Sequence, residues 1–173
     1  MKDYLDLVGL VPLVLAFFGF LFLVAIVNYN TLLRLQQHLL ETVDTIVALS
    51  ERKNNCFLHL IEAIKAHPNL DEALCNTIVS LGDGINKAQD NTQKILLAGK
   101  FTQLQQAVEG WAAQQNDIQE LPAYQDFQAE INRVGDELRT QTKRFNQLSF
   151  DYNRMRTTAP SKYIARFFKF EAI

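Results

Sequence analysis

The chain reads as an all-α protein: an N-terminal single transmembrane helix continuing into an antiparallel, up-down four-helix bundle of coiled-coil character. Three observations predict this. Residues 7–27 hold twenty-one positions without a charge, close to the roughly 20 that a helix needs to cross a hydrocarbon core. Beyond them, apolar residues recur at steps of three and four, the period of one helix face. Only seven glycines and four prolines interrupt 173 residues, which leaves little turn chemistry for β-structure. The expected organisation is a stub at 1–6, a transmembrane helix at 7–27, a helical bundle at 28–159 and an aromatic-basic tail at 160–173.

Sixteen residues of the apolar run are Leu, Val, Phe or Ile, so insertion is favoured by about 5 to 10 kcal/mol. A cleaved signal peptide would be shorter, start basic and end in a small-residue site. Here the start carries Lys2, Asp3 and Asp6, and Ala25-Ile26-Val27-Asn28 has no A-x-A pattern; the segment reads as a retained anchor. Lys2 on one flank and Arg34 on the other leave its orientation open.

After the anchor, residues 28–66 contain no Gly or Pro. Leu39, Val43, Ile46, Ser50, Lys53, Phe57, Leu60 and Ile64 form a heptad seam whose two polar breaks fall in the middle. His67-Pro68-Asn69 ends this helix. A second helix is expected from near Leu70, with Asn69 as N-cap and Asp71 and Glu72 at its positive end. Its apolar face is Leu70, Leu74, Ile78, Leu81, Ile85 and Ala88, weakened by Gly82 and Gly84. A turn is placed in residues 89–93. A third helix carries Leu97, Phe101, Leu104, Val108 and Trp111, and Pro122 suits the first turn of the next. That last long helix has the cleanest seam: Phe127, Ile131, Val134, Leu138, Gln141, Phe145, Leu148, Tyr152 and Met155. Pro160 closes it.

Narrow apolar stripes on four helices bury themselves most simply against each other. Four passes return the C-terminus to the membrane. There Tyr163, Phe167 and Phe168, interleaved with basic residues, either meet the headgroups or pack on the base of the bundle. Antiparallel first and last helices place Arg52 and Lys53 opposite Asp136 and Glu137, and Arg144 opposite Glu41 and Asp44.

The net charge of −2 gives no basis for a nucleic-acid partner. Two cysteines are too few for a disulfide framework. Cys56 and His59 share a helix face, and an antiparallel second helix could return Cys75, with His67, to the same place. Two Cys and two His can bind zinc, yet C-x2-H-x7-H-x7-C matches no familiar zinc spacing, so these four are weak metal candidates and no cofactor is expected. No phosphate loop, HExxH or G-x-S-x-G is present, and no residue is assigned a catalytic role. No small-xxx-small pair marks the anchor for helix association.

At several places the chain resembles the LemA family of bacterial membrane proteins. Tyr29-Asn30-Thr31-Leu32-Leu33 is similar to that family's opening after its single span, and Glu41 through Lys65, with Arg52 and Glu62, aligns without a gap. The most specific block is Arg144-Phe145-Asn146 followed after five residues by Tyr152-Asn153, similar to R-Y-N-x5-Y-N. Pro160 and Ile164-Ala165-Arg166-Phe167-Phe168-Lys169-Phe170 are similar to its P-x-x-x-I-A-x-x-F-x-F ending. Val43 stands where the family has Trp, and Asn54 to Leu58 lack its Asp and Pro, the pattern of a divergent member. The resemblance implies an N-terminal anchor, an antiparallel bundle and a bacterial cytoplasmic (inner) membrane location, brings no established enzymatic activity, and links some relatives to membrane organisation.

Together these features point to a non-enzymatic, single-pass membrane protein that meets the lipid bilayer and self-associates as a homo-oligomeric scaffold. The rival readings are a monomeric accessory subunit of another membrane protein, such as a protease or sensor kinase, and a lipid- or metal-responsive sensor.

Overall fold

The structure, a computed structural model, describes residues 2–65, 71–88 and 91–172. Among these the chain is all helix and loop, with no strand. The helices are α1 (Lys2–Ile64), α2 (Glu72–Lys87), α3 (Asn91–Ala112), α4 (Asn116–Gln119), α5 (Pro122–Thr157) and α6 (Ser161–Phe167). The expected stub is not separate, because α1 is already helical at Lys2. Pro12 is tolerated inside the helix.

Part of α1 is apolar and long enough to cross a membrane, with a mean hydropathy of 3.0 over its best stretch and none of that stretch buried. Phe17, Phe18, Phe20, Phe22 and Leu23 all stand more than half exposed. A contiguous exposed apolar surface of this kind is compatible with a single-pass membrane anchor.

The chain divides into two compact units, residues 1–39 with 146–173, and residues 40–145. In the second unit all seven seam residues of α1 from Val43 to Ile64 are buried, the polar Ser50 and Lys53 included. Ser50 satisfies its hydroxyl within the helix, donating to the Ile46 carbonyl at 2.7 Å. One cluster joins Phe57, Leu60 and Ile64 to Ile78, Leu81 and Ile85 of α2, Phe101, Leu104 and Val108 of α3, and Phe127 and Ile131 of α5. Phe57 is its centre, with its ring 5.9 Å from Phe101 and 5.3 Å from Phe127. A smaller cluster unites Ile46 and Leu49 with Val134 and Leu138.

Asp71, rather than the expected Asn69, caps α2: its Oδ1 accepts from the backbone N–H groups of Ala73 and Leu74 at 2.9 and 3.1 Å. Asn69, Leu70 and His67 lie outside the described residues. The break after α2 comes at Ala88, whose backbone is extended. Gly82 has a packing reason: a Cβ there would come within 2.5 Å of the Asn54 amide. Two short helices, α4 and α6, add to the four expected. Helix α4 buries Ile118 completely, and the C-terminal tail is helical as α6.

In the first unit Leu32, Leu39, Tyr152 and Ala165 are buried. Leu148 on the α5 seam is only half-buried there, as are Gln141 and Phe145 in the second unit.

Candidate functional site

Two places hold side chains in arrangements that core packing alone does not require. The first is built on the C-terminal cap of α6. Phe168 ends the helix, Lys169 takes a left-handed conformation (φ 55°), and the chain turns back. The Phe170 N–H donates to the Ala165 carbonyl at 2.9 Å and the Lys169 N–H to Arg166 at 3.4 Å, the pair of bonds that closes a Schellman cap. This turn brings Phe168 and Phe170 onto the Tyr29 ring, with centroids 4.6 and 5.9 Å apart. The Tyr152 hydroxyl donates to the Glu171 carbonyl at 2.9 Å, and burial pushes the Tyr152 phenol up. At the other end of α6, the Ser161 hydroxyl donates to Asn28 Oδ1 at 2.5 Å, while the Asn28 amide donates to the Val24 carbonyl at 2.7 Å. Asn28 is the first residue after the apolar run.

The outer side of α6 is left free. Tyr163 is 72 % exposed and Phe167 80 %, and Phe168 keeps about half its surface open despite its contact with Tyr29. Lys162, Arg166 and Lys169 are exposed among them. The tail is therefore divided: Ser161, Ala165 and Phe170 face inward, and Tyr163 and Phe167 face out.

The second place is around Lys53. It is 2 % exposed and lines an open hollow of about 470 Å³ with Gly99, Thr102 and Gln105 of α3 and Asn132, Gly135, Asp136, Leu138, Arg139, Thr142 and Lys143 of α5. Burial holds the Lys53 ammonium below the usual lysine value, against the opposing pull of Glu109 and the Cys56 sulfur. Arg52, one residue back and about 100° round the helix, points elsewhere. Its Nη2 lies 2.7 Å from Glu130, not at Asp136 or Glu137 as the antiparallel register suggested. Glu130 also accepts from Arg133 at 2.9–3.0 Å, and that bond, with Arg52 beside it, holds its carboxyl below the ordinary range. Glu137 is engaged by Arg133 at 3.6 Å.

Three of the four Cys and His candidates, Cys56, His59 and Cys75, lie within the described residues. Cys56 and His59 share a hollow of about 450 Å³ with Arg52, Asp126, Phe127 and Glu130. Cys75 sits instead against Ile61, Ile64, Leu74 and Trp111. Burial raises both thiols, helped by Glu130 at Cys56 and by Asp71 and Glu72 at Cys75, which favours the thiol over the metal-binding thiolate. Among the described residues no three His, Cys, Asp or Glu side chains gather as a metal site.

The LemA family model matches residues 41–173, more than three quarters of the sequence and all of its polar part beyond Leu40. The chain belongs to the LemA family. No curated protein and no solved structure matches it. On this LemA chain the family-signature residues fall into two sets. Tyr29, Tyr152, Phe168 and Phe170 build the C-terminal cap, with Pro160 at the N-cap position of α6; Asn153 is half-buried one residue after Tyr152. Asn30, Glu41, Arg52, Glu62, Arg144 and Asn146 are exposed. The Lys53 hollow escaped the sequence reading, although Gly135, a glycine inside a seamed helix, was the available signal.

Proposed function

We propose that this LemA-family chain is a non-catalytic, self-associating scaffold of the bacterial cytoplasmic membrane, anchored by residues 7–27 and built as an antiparallel four-helix bundle. The observation that carries the reading is the divided character of α6. Its inner side is bonded to Asn28 and stacked on Tyr29, directly after the apolar run, and its outer side offers Tyr163 and Phe167 among Lys162, Arg166 and Lys169. Aromatic and basic side chains together are the composition favoured at the headgroup level. Burying an exposed aromatic contributes up to about 1.5–3 kcal/mol, and each basic residue about 1 kcal/mol at an anionic surface. A span plus an interfacial helix fixes how the protein leaves the bilayer, as a scaffold requires.

Self-association is tested by the mass of the full-length protein in mild detergent, measured by light scattering over a range of concentrations. A discrete assembly that dissociates on dilution is expected. A single chain at every concentration overturns the scaffold and favours an accessory subunit, which would co-purify with one specific membrane protein.

A further inference from the structure

The polar hollow on α1, α3 and α5 is not explained by anchoring or by self-association. Lys53 occupies a core position in the α1 seam, and among the described residues no carboxylate comes within ion-pairing distance of its Nζ. A buried ammonium without a counter-charge is costly. It is not sealed in, however. Gly135 lies beside it, a Cβ there standing at ordinary contact distance, 3.9 Å from Nζ, and both residues line the open hollow.

The rest of the lining is cationic on balance. Arg139 and Lys143 add two cations against the one carboxylate of Asp136. Asn132 Oδ1 already accepts from Gln105 Nε2 at 3.0 Å, which leaves the Asn132 amide N–H groups as donors. The same Gln105 nitrogen donates to Glu109 Oε1 at 2.9 Å, tying the carboxylate with the strongest pull on Lys53 to its own helix. A cleft with a net excess of one charge concentrates counter-ions, and the volume falls in the range of small-molecule pockets, about 300–1,000 Å³.

We propose that this hollow binds an oxyanion, the phosphate or carboxylate group of a small ligand, with Lys53 as the buried cation at its floor and Arg139 and Lys143 at its rim. The ligand supplies a counter-charge in direct contact, beyond the through-space pull of Glu109. A lysine kept merely as a spacer in the seam would be replaceable by methionine with no change in the response to anions.

The test uses the full-length protein in phosphatidylcholine nanodiscs, titrated with sodium pyrophosphate at constant ionic strength. The readouts are the melting temperature and the NMR signal of the Lys53 side chain. Saturable binding is expected, with a Tm rise of about 5–10 °C at a hundredfold excess over Kd. Binding should weaken at least tenfold in Lys53→Met and several-fold in Arg139→Gln with Lys143→Gln, two exposed positions whose change leaves the fold intact. Discs containing phosphatidylglycerol without pyrophosphate separate the sources: a shift of the Lys53 signal there makes a lipid headgroup the ligand, and no shift there with saturable pyrophosphate binding makes it a soluble one. Absence of saturable binding in both arms, or an equal response in wild type, Lys53→Met and the rim double variant, overturns the proposal.

Discussion

Replacing Lys53 by methionine should stabilise the protein at neutral pH in a chloride buffer free of phosphate. The two side chains have similar length and both fill the α1 seam, so the difference is the ammonium. Lys53 is 2 % exposed, and replacing unpaired or poorly paired buried charge with an apolar side chain of similar volume is typically stabilising by about 1–4 kcal/mol. The opening toward the hollow lets water reach the ammonium and places the expectation at the lower end, about 2 kcal/mol, or a Tm rise of roughly 4–8 °C for a chain of this size. The gain should depend on pH. Burial lowers the folded value of Lys53 below the ordinary 10.5. Between that lowered value and 10.5 the unfolded chain holds a proton that the folded chain has released, so wild-type stability rises with pH across this window. The groups around the ammonium are Glu109 and Cys56, which pull its value back up, and Asp136, Arg139 and Lys143 in the hollow. Methionine does not titrate, so the Tm gap should be widest near neutrality and should close as pH approaches 10.5. Far-UV circular dichroism of both proteins in the same detergent, from pH 7 to 10.5, measures it. A destabilised variant at pH 7, or a gap that stays constant with pH, would refute the reasoning.

Phe57→Ala should lower Tm by roughly 6–20 °C, because it empties the centre of the largest cluster at about 3–5 kcal/mol; an effect below 3 °C would mean that Phe57, Phe101 and Phe127 do not pack as described. Tyr152→Phe removes the bond to the Glu171 carbonyl at a cost of about 1 kcal/mol, and limited proteolysis should then trim the C-terminus faster; an unchanged cleavage rate would remove that bond from the account. Lys169→Gly should raise Tm by about 2–4 °C, since a left-handed residue with a Cβ costs about 1 kcal/mol. A lower Tm would show that the α6 cap is not formed this way.

Most of the helical framework was legible because burial follows period. In the residue 40–145 unit the α1 seam is buried at every step, and Lys53 is buried by its position in the period despite its charge. On α5 the seam holds from Phe127 to Leu138 and loosens at Gln141, Phe145 and Leu148, where the single polar residue is the one sign of it in the pattern. Helix α4 is invisible in the sequence because four residues contain no period to read. Helix α6 looks like an alternating tail in the sequence because seven residues of mixed aromatic and basic character fit a strand period as well as a helical one. The partner of Arg52 was misplaced because a linear register cannot tell adjacent helix residues apart: Arg52 leaves the seam toward Glu130, and Lys53 turns toward Gly135 and Asp136. Of the metal candidates within the described residues, Cys56 and His59 line one hollow and Cys75 lines another, against Ile61 and Trp111.

The most direct test of the central claim, that α6 rests on the membrane, is the depth of its outer face in a bilayer. Phe167→Trp in a Trp111→Phe background leaves one tryptophan, and lipids brominated along the acyl chain quench it only within reach of the bilayer. The account predicts strong quenching at residue 167 and little for Leu96→Trp in the same background, where the native side chain is 68 % exposed on α3. Quenching at residue 167 no greater than at residue 96 would contradict it, and would leave residues 7–27 as the only membrane contact.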